Sequence, residues 1–132
     1  MKQELDEESR DSLVRYRFDR AKDTIKEATL LEDNGYYNTA VTRLYYACFY
    51  AVEALLLKHH IQAQTHSGVK AMFGLHFVNT GKVPVQIGKT ISTLYEKRQS
   101  SDYEDFVFCD QQDVKDLKEK AIQLIDTIEK MI

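Results

Sequence analysis

The chain has 132 residues, 30% of them charged and 43% hydrophobic, with a formal net charge of −3. Such a composition suits a soluble globular fold with room for one core and not two, so residues 1–132 are read as a single helical domain. The negative balance excludes a protein that grips nucleic acid over its whole surface and leaves room for one local basic site.

No apolar stretch reaches the roughly 18 uncharged residues needed to span a bilayer. The start, Met1-Lys-Gln-Glu-Leu-Asp-Glu-Glu8, is acidic and polar, which fits neither a secretory signal nor a transit peptide. Cys48 and Cys109 form no CxxC pair, and two isolated thiols point to the reducing cytoplasm.

In chain order, a first helix is expected from about Leu5 to Asn34. Its apolar stripe is Val14, Phe18, Ala21, Ile25, Ala28 and Leu31, with Gly35 as left-handed cap. Asn38 is the expected N-cap of a second helix ending near His59-His60. Between Leu44 and Val52 that helix carries only apolar or aromatic side chains, so protein must surround it. Tyr45, Cys48, Phe49, Val52 and Leu56 are expected in the core. Thr65 or Ser67 caps a short third helix through Met72, Phe73 and Phe77, which Asn79-Thr-Gly81 stops. Pro84 opens a fourth helix whose stripe Ile87, Ile91, Leu94 and Tyr95 runs into Arg98, with a weak point at Ser100-Ser101. Asp110, with Asp113, caps a fifth helix carrying Val114, Leu117, Ala121, Leu124, Ile128 and Met131. The predicted fold is all-α, an up-and-down helical bundle of four longer helices plus one short helix, with the second helix at its centre.

Two arginines stand out. Arg43 lies in the apolar run, and a guanidinium there needs a partner or a cavity. A carboxylate such as Glu53 or Asp102, or helix-terminal carbonyls, would make it structural. Alternatively it holds Asp102 beside Arg98 in a small polar cluster that receives a phosphate. Arg98 and Asp102 stand four apart and read either as a weak helical pair or as a charged group at the rim of the core. His66, beside the capping Thr65, sits where free backbone N–H groups can take an anion, although capping alone would explain it. Tyr46 shares a helical face with Arg43, and aromatics at this spacing are usually core. The spacing of His59, His60 and the two cysteines supports no metal site, and no cofactor loop is present.

Four blocks are similar to successive motifs of one family. They are Arg43-Leu-Tyr-Tyr-Ala-Cys-Phe-Tyr-Ala51, Thr65-His66-Ser67-Gly68-Val69, Phe77-Val-Asn-Thr-Gly81 and Tyr95-Glu-Lys-Arg98-Gln-Ser-Ser-Asp102-Tyr103. Over roughly residues 5 to 130 the chain resembles HEPN domains, most closely the small stand-alone prokaryotic ones. The resemblance implies a helical bundle, usually a homodimer, often paired with a nucleotidyltransferase partner in a toxin–antitoxin or defence system. Many members are metal-independent RNases that use Arg, four to six residues, then His. Here Arg98 is followed after four residues by Tyr103, and all four histidines lie upstream.

The resemblance therefore points to an interaction module for RNA or a nucleotide, with Arg98, Asp102 and Tyr103 as candidate catalytic residues and Arg43, Tyr46 and His66 as candidate ligand-binding residues. An active ribonuclease built on Arg98, Asp102 and Tyr103 and a purely structural adaptor are the alternatives. Arginine only donates, aspartate at most accepts, and tyrosine holds its proton near neutrality, so little RNA cleavage is expected from those three. Tyr103 is also a candidate hydroxyl acceptor for nucleotide transfer. Homodimerisation is expected near the Arg98–Tyr103 segment, where Phe106, Val107 and Phe108 would leave an apolar patch.

Overall fold

The computed structural model describes residues 5–105 and 107–132, so Phe106 and the first four residues lie outside the described part. Its elements are α1 (Glu7–Asp33), α2 (Tyr37–Lys58), α3 (His66–Phe73, running on into a π-helical turn, Gly74–Val78), α4 (Val85–Gly88), α5 (Thr90–Tyr103) and α6 (Gln111–Glu129). Among the described residues there is no strand, and the all-α bundle follows from the sequence as read.

Helix ends follow local chemistry. The Asp6 carboxylate accepts from Ser9 N at 2.7 Å and starts α1. At its end Tyr36 N donates to Leu31 O and Gly35 N to Glu32 O, with Gly35 at φ +81°, the left-handed turn that glycine adopts at no steric cost. α6 begins with a reciprocal capping box in which Asp110 accepts from Asp113 N at 2.8 Å while Asp113 accepts from Asp110 N at 3.0 Å. Replacing Asp110 by Ala removes one half of that box and is expected to cost about 1 kcal/mol. A urea titration checks it, and a midpoint unchanged from wild type would contradict the assignment.

α2 is the central element, touching α1, α3, α5 and α6. Tyr45, Cys48, Phe49, Val52 and Leu56 are all buried in the shared core with Leu44, Phe73, Phe77, Leu94, Val114 and Leu124. By length and mean hydropathy α2 would also suit a membrane span, but 67% of its most apolar window is buried by the other helices, as for a core helix. α6 is tied to α1 by Lys118, whose Nζ lies 2.6 Å from the buried Glu32 carboxylate.

The structure departs from the sequence reading in three places. Asn38 does not cap α2. It lies inside the first turn, where its Oδ1 accepts from Cys109 N at 2.8 Å and so brackets the chain entering α6. The helix expected from Pro84 through Arg98 is divided at Lys89 into α4 and α5, next to Gly88, a poor interior helix former. Gly88 is required for contact, since a Cβ there would fall 2.6 Å from Val78 Cγ2. Finally, Ser100-Ser101 does not end a helix, and α5 continues to Tyr103 with Ser101 Oγ donating to Arg98 O.

Candidate functional site: an arginine–tyrosine face

α2 is not enclosed on all sides. Thr42, Arg43, Tyr46, Tyr50, Glu53 and Leu57 are only partly buried, and their three- and four-residue spacing makes one stripe along the helix. Neighbouring helices place cations over its rings. From α1, Arg20 Cζ lies 4.5 Å from the Tyr50 ring centroid. Arg43 Cζ lies 5.1 Å from the Tyr46 ring, and from α5 Arg98 Cζ lies 5.3 Å from Tyr46 and 5.4 Å from Tyr45. Lys70 of α3 sits 3.9 Å above Tyr95. Each such contact is attractive by about 0.5–2 kcal/mol, depending on how far water is excluded.

Arg98 is largely enclosed, its side chain 17% exposed. Its Nε faces Asp102 Oδ2 at 3.7 Å, near enough for ion pairing but too long for a hydrogen bond. That Nε is shielded from solvent and has no hydrogen-bond acceptor. Asp102 also accepts from Thr42 Oγ1 at 3.5 Å, a long contact. The guanidinium is held by the two tyrosine rings and by its ion pair with Asp102.

His66 crosses to this cluster from the first turn of α3. Its Nδ1 lies 3.0 Å from Tyr45 Oη, and its ring stacks on Phe49 with centroids 4.2 Å apart. The Tyr46 ring meets it edge-on at 6.0 Å. Burial pushes the Tyr45 hydroxyl up to about 12, against the opposing pull of Arg98, so Tyr45 keeps its proton at neutral pH. Tyr45 Oη and His66 Nδ1 share that hydrogen bond, with the donor set by the imidazole tautomer, and the side chain that carries Nε2 is exposed. Capping at this turn belongs to Thr65, whose Oγ1 accepts from Gly68 N at 2.9 Å, so His66 is not needed for it.

The structure thus gathers Arg43, Tyr46, His66 and Arg98 around shared rings. Arg43 does not pair with Glu53 or Asp102. Its Nη1 lies 3.5 Å from Glu27 Oε2, because α1 packs along α2 and brings that carboxylate over it. Arg43 thus pairs with a carboxylate other than the two named, the alternative in which it holds Asp102 beside Arg98 does not form, and the two arginines share the Tyr46 ring. Tyr103 stands apart, 72% exposed, its side chain making no hydrogen bond or ring contact with a described residue. His66 joins Arg98 through the rings of Tyr45 and Tyr46, beside the three residues from which little cleavage is expected. Three-dimensional placement was the missing signal, as His66 precedes Arg98 by a whole helix.

Arg20 and Tyr50 belong to the face although the sequence did not single them out. Their signal was the Tyr46–Tyr50 spacing beside the basic excess of α1. Cys48 is free and fully buried, and burial raises its thiol well above the usual range; Cys109 is raised by the same cause. Neither is placed for nucleophilic chemistry.

A family model for the HEPN domain matches residues 14–131. This chain belongs to the HEPN domain family. Its HEPN fold spans nearly the whole sequence, and the Arg–Tyr face lies inside the matched region. The chain is 40% identical over 123 residues to a UPF0332 protein of Thermotoga maritima, covering 93% of each. It is 40% identical over 83 residues to a Methanocaldococcus jannaschii protein named "Putative toxin MJ0605", covering 63% of this chain and 62% of that one. A second protein of that organism with a toxin name, MJ0142, is 36% identical over 86 residues.

Proposed function

We propose that this HEPN protein is a toxin-type module that binds single-stranded RNA or its nucleotides along the Arg–Tyr face. The observation that carries this reading is the alternation of guanidinium groups and tyrosine rings, from Arg20 on Tyr50 to Arg43 and Arg98 on Tyr46, with a buried Arg98 Nε lacking an acceptor. Single-stranded nucleic acid is bound by this combination of backbone-tracking cations and rings on which bases stack. His66, exposed at the edge of the same rings, adds a polar ring nitrogen within reach of a phosphate oxygen. The toxin names of two relatives support a toxin-type setting; in this reading the protein acts in the cytoplasm with a nucleotidyltransferase partner. Exposed Phe108 and Tyr103, 76% and 72% accessible, support a homodimer contact beside α5. A purely structural adaptor would have no use for a row of guanidiniums and tyrosine rings along an open face.

Chemistry through Tyr103 is not favoured, because its exposed side chain makes no hydrogen bond to Arg98 or Asp102. His66, held by Tyr45 and stacked on Phe49, serves binding in this reading. Labelled single-stranded RNA is expected to bind saturably and to remain intact at pH 7 without metal. Cleavage lost in Arg98→Ala and His66→Ala but kept in Tyr103→Phe would replace this reading by a ribonuclease that uses His66. Absence of any binding would refute it outright.

A further inference from the structure

One long stretch of the chain carries no negative charge. Between Glu53 and Glu96 there is no Asp or Glu, so all 21 acidic residues lie outside it, whereas Lys58, Lys70, Lys82, Lys89 and all four histidines lie within. The whole chain stands at a formal −3, so positive charge is concentrated here against an acidic remainder. The stretch folds as the end of α2, α3 with its π-helical turn, α4 and the start of α5. The π turn touches both α3 and α4, and α4 touches α5, so these pieces make one corner of the bundle.

The corner is preformed. Val83 N donates to Phe77 O at 2.9 Å, and Gly88 packs so closely on Val78 that a Cβ there would fall 2.6 Å from Cγ2, which ties α4 to the π turn. Turns of this π type occur frequently at functional sites. Its cations are open to a partner. Lys58 reaches Asp11 at 3.8 Å, but Lys70 and Lys82 lie over the rings of Tyr95 and Phe77 without an ion pair among the described residues. Lys89 is exposed and has neither an ion pair nor a ring contact with a described residue. α4 also touches α6, but Glu129 of α6 holds Lys22 of α1 at 2.6 Å and Asp126 acts on the same lysine. Two aliphatic side chains stand in solvent at this corner, Leu75 of the π turn at 53% and Val85 of α4 at 54% exposed.

We infer that this corner docks an acidic segment of a protein partner, whose carboxylates meet Lys82 and Lys89 while its apolar side chains cover Leu75 and Val85. Protein interfaces combine such an apolar contact with a rim of complementary charge. Other occupants fit less well. RNA would find no arginine in the stretch, and the Phe73 and Phe77 rings are buried where bases cannot stack on them. Two aliphatic side chains offer a bilayer far less apolar surface than an interfacial helix does. A second copy meeting this corner about a two-fold axis would bring the same lysines face to face. The inference does not rest on the RNA reading, since Leu75, Lys82, Val85 and Lys89 take no part in the Arg–Tyr face.

The test titrates the full chain into a fluorescein-labelled short peptide that repeats Leu-Glu-Glu and follows its anisotropy. A Leu-Lys-Lys peptide, oligouridylate RNA and phosphatidylserine vesicles are the other arms. Two double variants are compared with wild type, Lys82→Glu with Lys89→Glu and Leu75→Ser with Val85→Ser. All four side chains are exposed, and wild-type helical circular dichroism confirms that each variant folds. The expected result is saturable binding of the glutamate peptide with a dissociation constant below about 100 µM, weakened about tenfold or more by each double variant. The lysine peptide should not bind, and Arg98→Ala should leave the glutamate peptide's affinity unchanged. Absence of saturable binding overturns the inference. Loss in the lysine variant with the Leu75–Val85 variant unaffected would reduce the corner to unspecific charge attraction and overturn it too. RNA or vesicles that bind more tightly than the glutamate peptide, and lose that binding in the lysine variant, would give the corner to a different occupant.

Discussion

Replacing Arg98 by Ala is expected to weaken binding of single-stranded RNA ten- to a hundredfold. A hydrogen bond from a charged donor contributes about 1.5–3 kcal/mol, and each 1.4 kcal/mol is a factor of ten. The effect is large because this guanidinium is already positioned. Its side chain is enclosed by Tyr45 and Tyr46, so little conformational entropy remains to be lost when a phosphate arrives. Arg98→Lys should recover only part of the affinity, since an ammonium lacks the planar fork and stacks less well on the rings. Fluorescence anisotropy across a salt series checks both points. The slope of log affinity against log salt should fall by about one in Arg98→Ala. Unchanged affinity and slope would mean that RNA does not reach this side chain.

Tyr45→Ala should destabilise the fold by about 3–5 kcal/mol, the cost of deleting a large buried ring that its surroundings cannot fill. Tyr45 has no solvent exposure, and its ring contacts Tyr46, Phe49, His66 and Tyr95. In urea the midpoint should drop by about 2 M for a domain of this size. Tyr45→Phe keeps the packing and removes only the hydroxyl, at a cost of about 1 kcal/mol. Its functional consequence is different. Without the hydroxyl, His66 is no longer held in one orientation, and RNA affinity should fall while the urea midpoint moves little. Equal destabilisation by the two variants would show that the hydrogen bond, not the packing, dominates.

The fold was legible because its signals are local or periodic. Gly35, Thr65 and Asp110 mark helix ends by their own chemistry, and the apolar run of α2 demanded burial whatever surrounded it. Asn38 failed as a cap because its side chain is captured by Cys109, a residue far along the chain, and no local rule reports such a partner. The Arg43 charge was seen, but its partner was not. Glu27 lies on the opposing helix, and only the alignment of α1 on α2 brings it over Arg43. The same holds for the site. Arg98 could be read from its place at the end of an apolar stripe, whereas His66 joins it only through the rings of Tyr45 and Tyr46.

The central claim is that RNA lies on the stripe of α2 that the other helices leave open. A two-dimensional ¹H–¹⁵N NMR titration of the uniformly labelled protein with a short single-stranded RNA reads this surface directly. The account predicts progressive shifts in the amides around Arg43, Tyr46, Tyr50, His66 and Arg98, with α6 beyond Leu117 unaffected. Shifts confined to α6, or spread evenly without saturation, would contradict it.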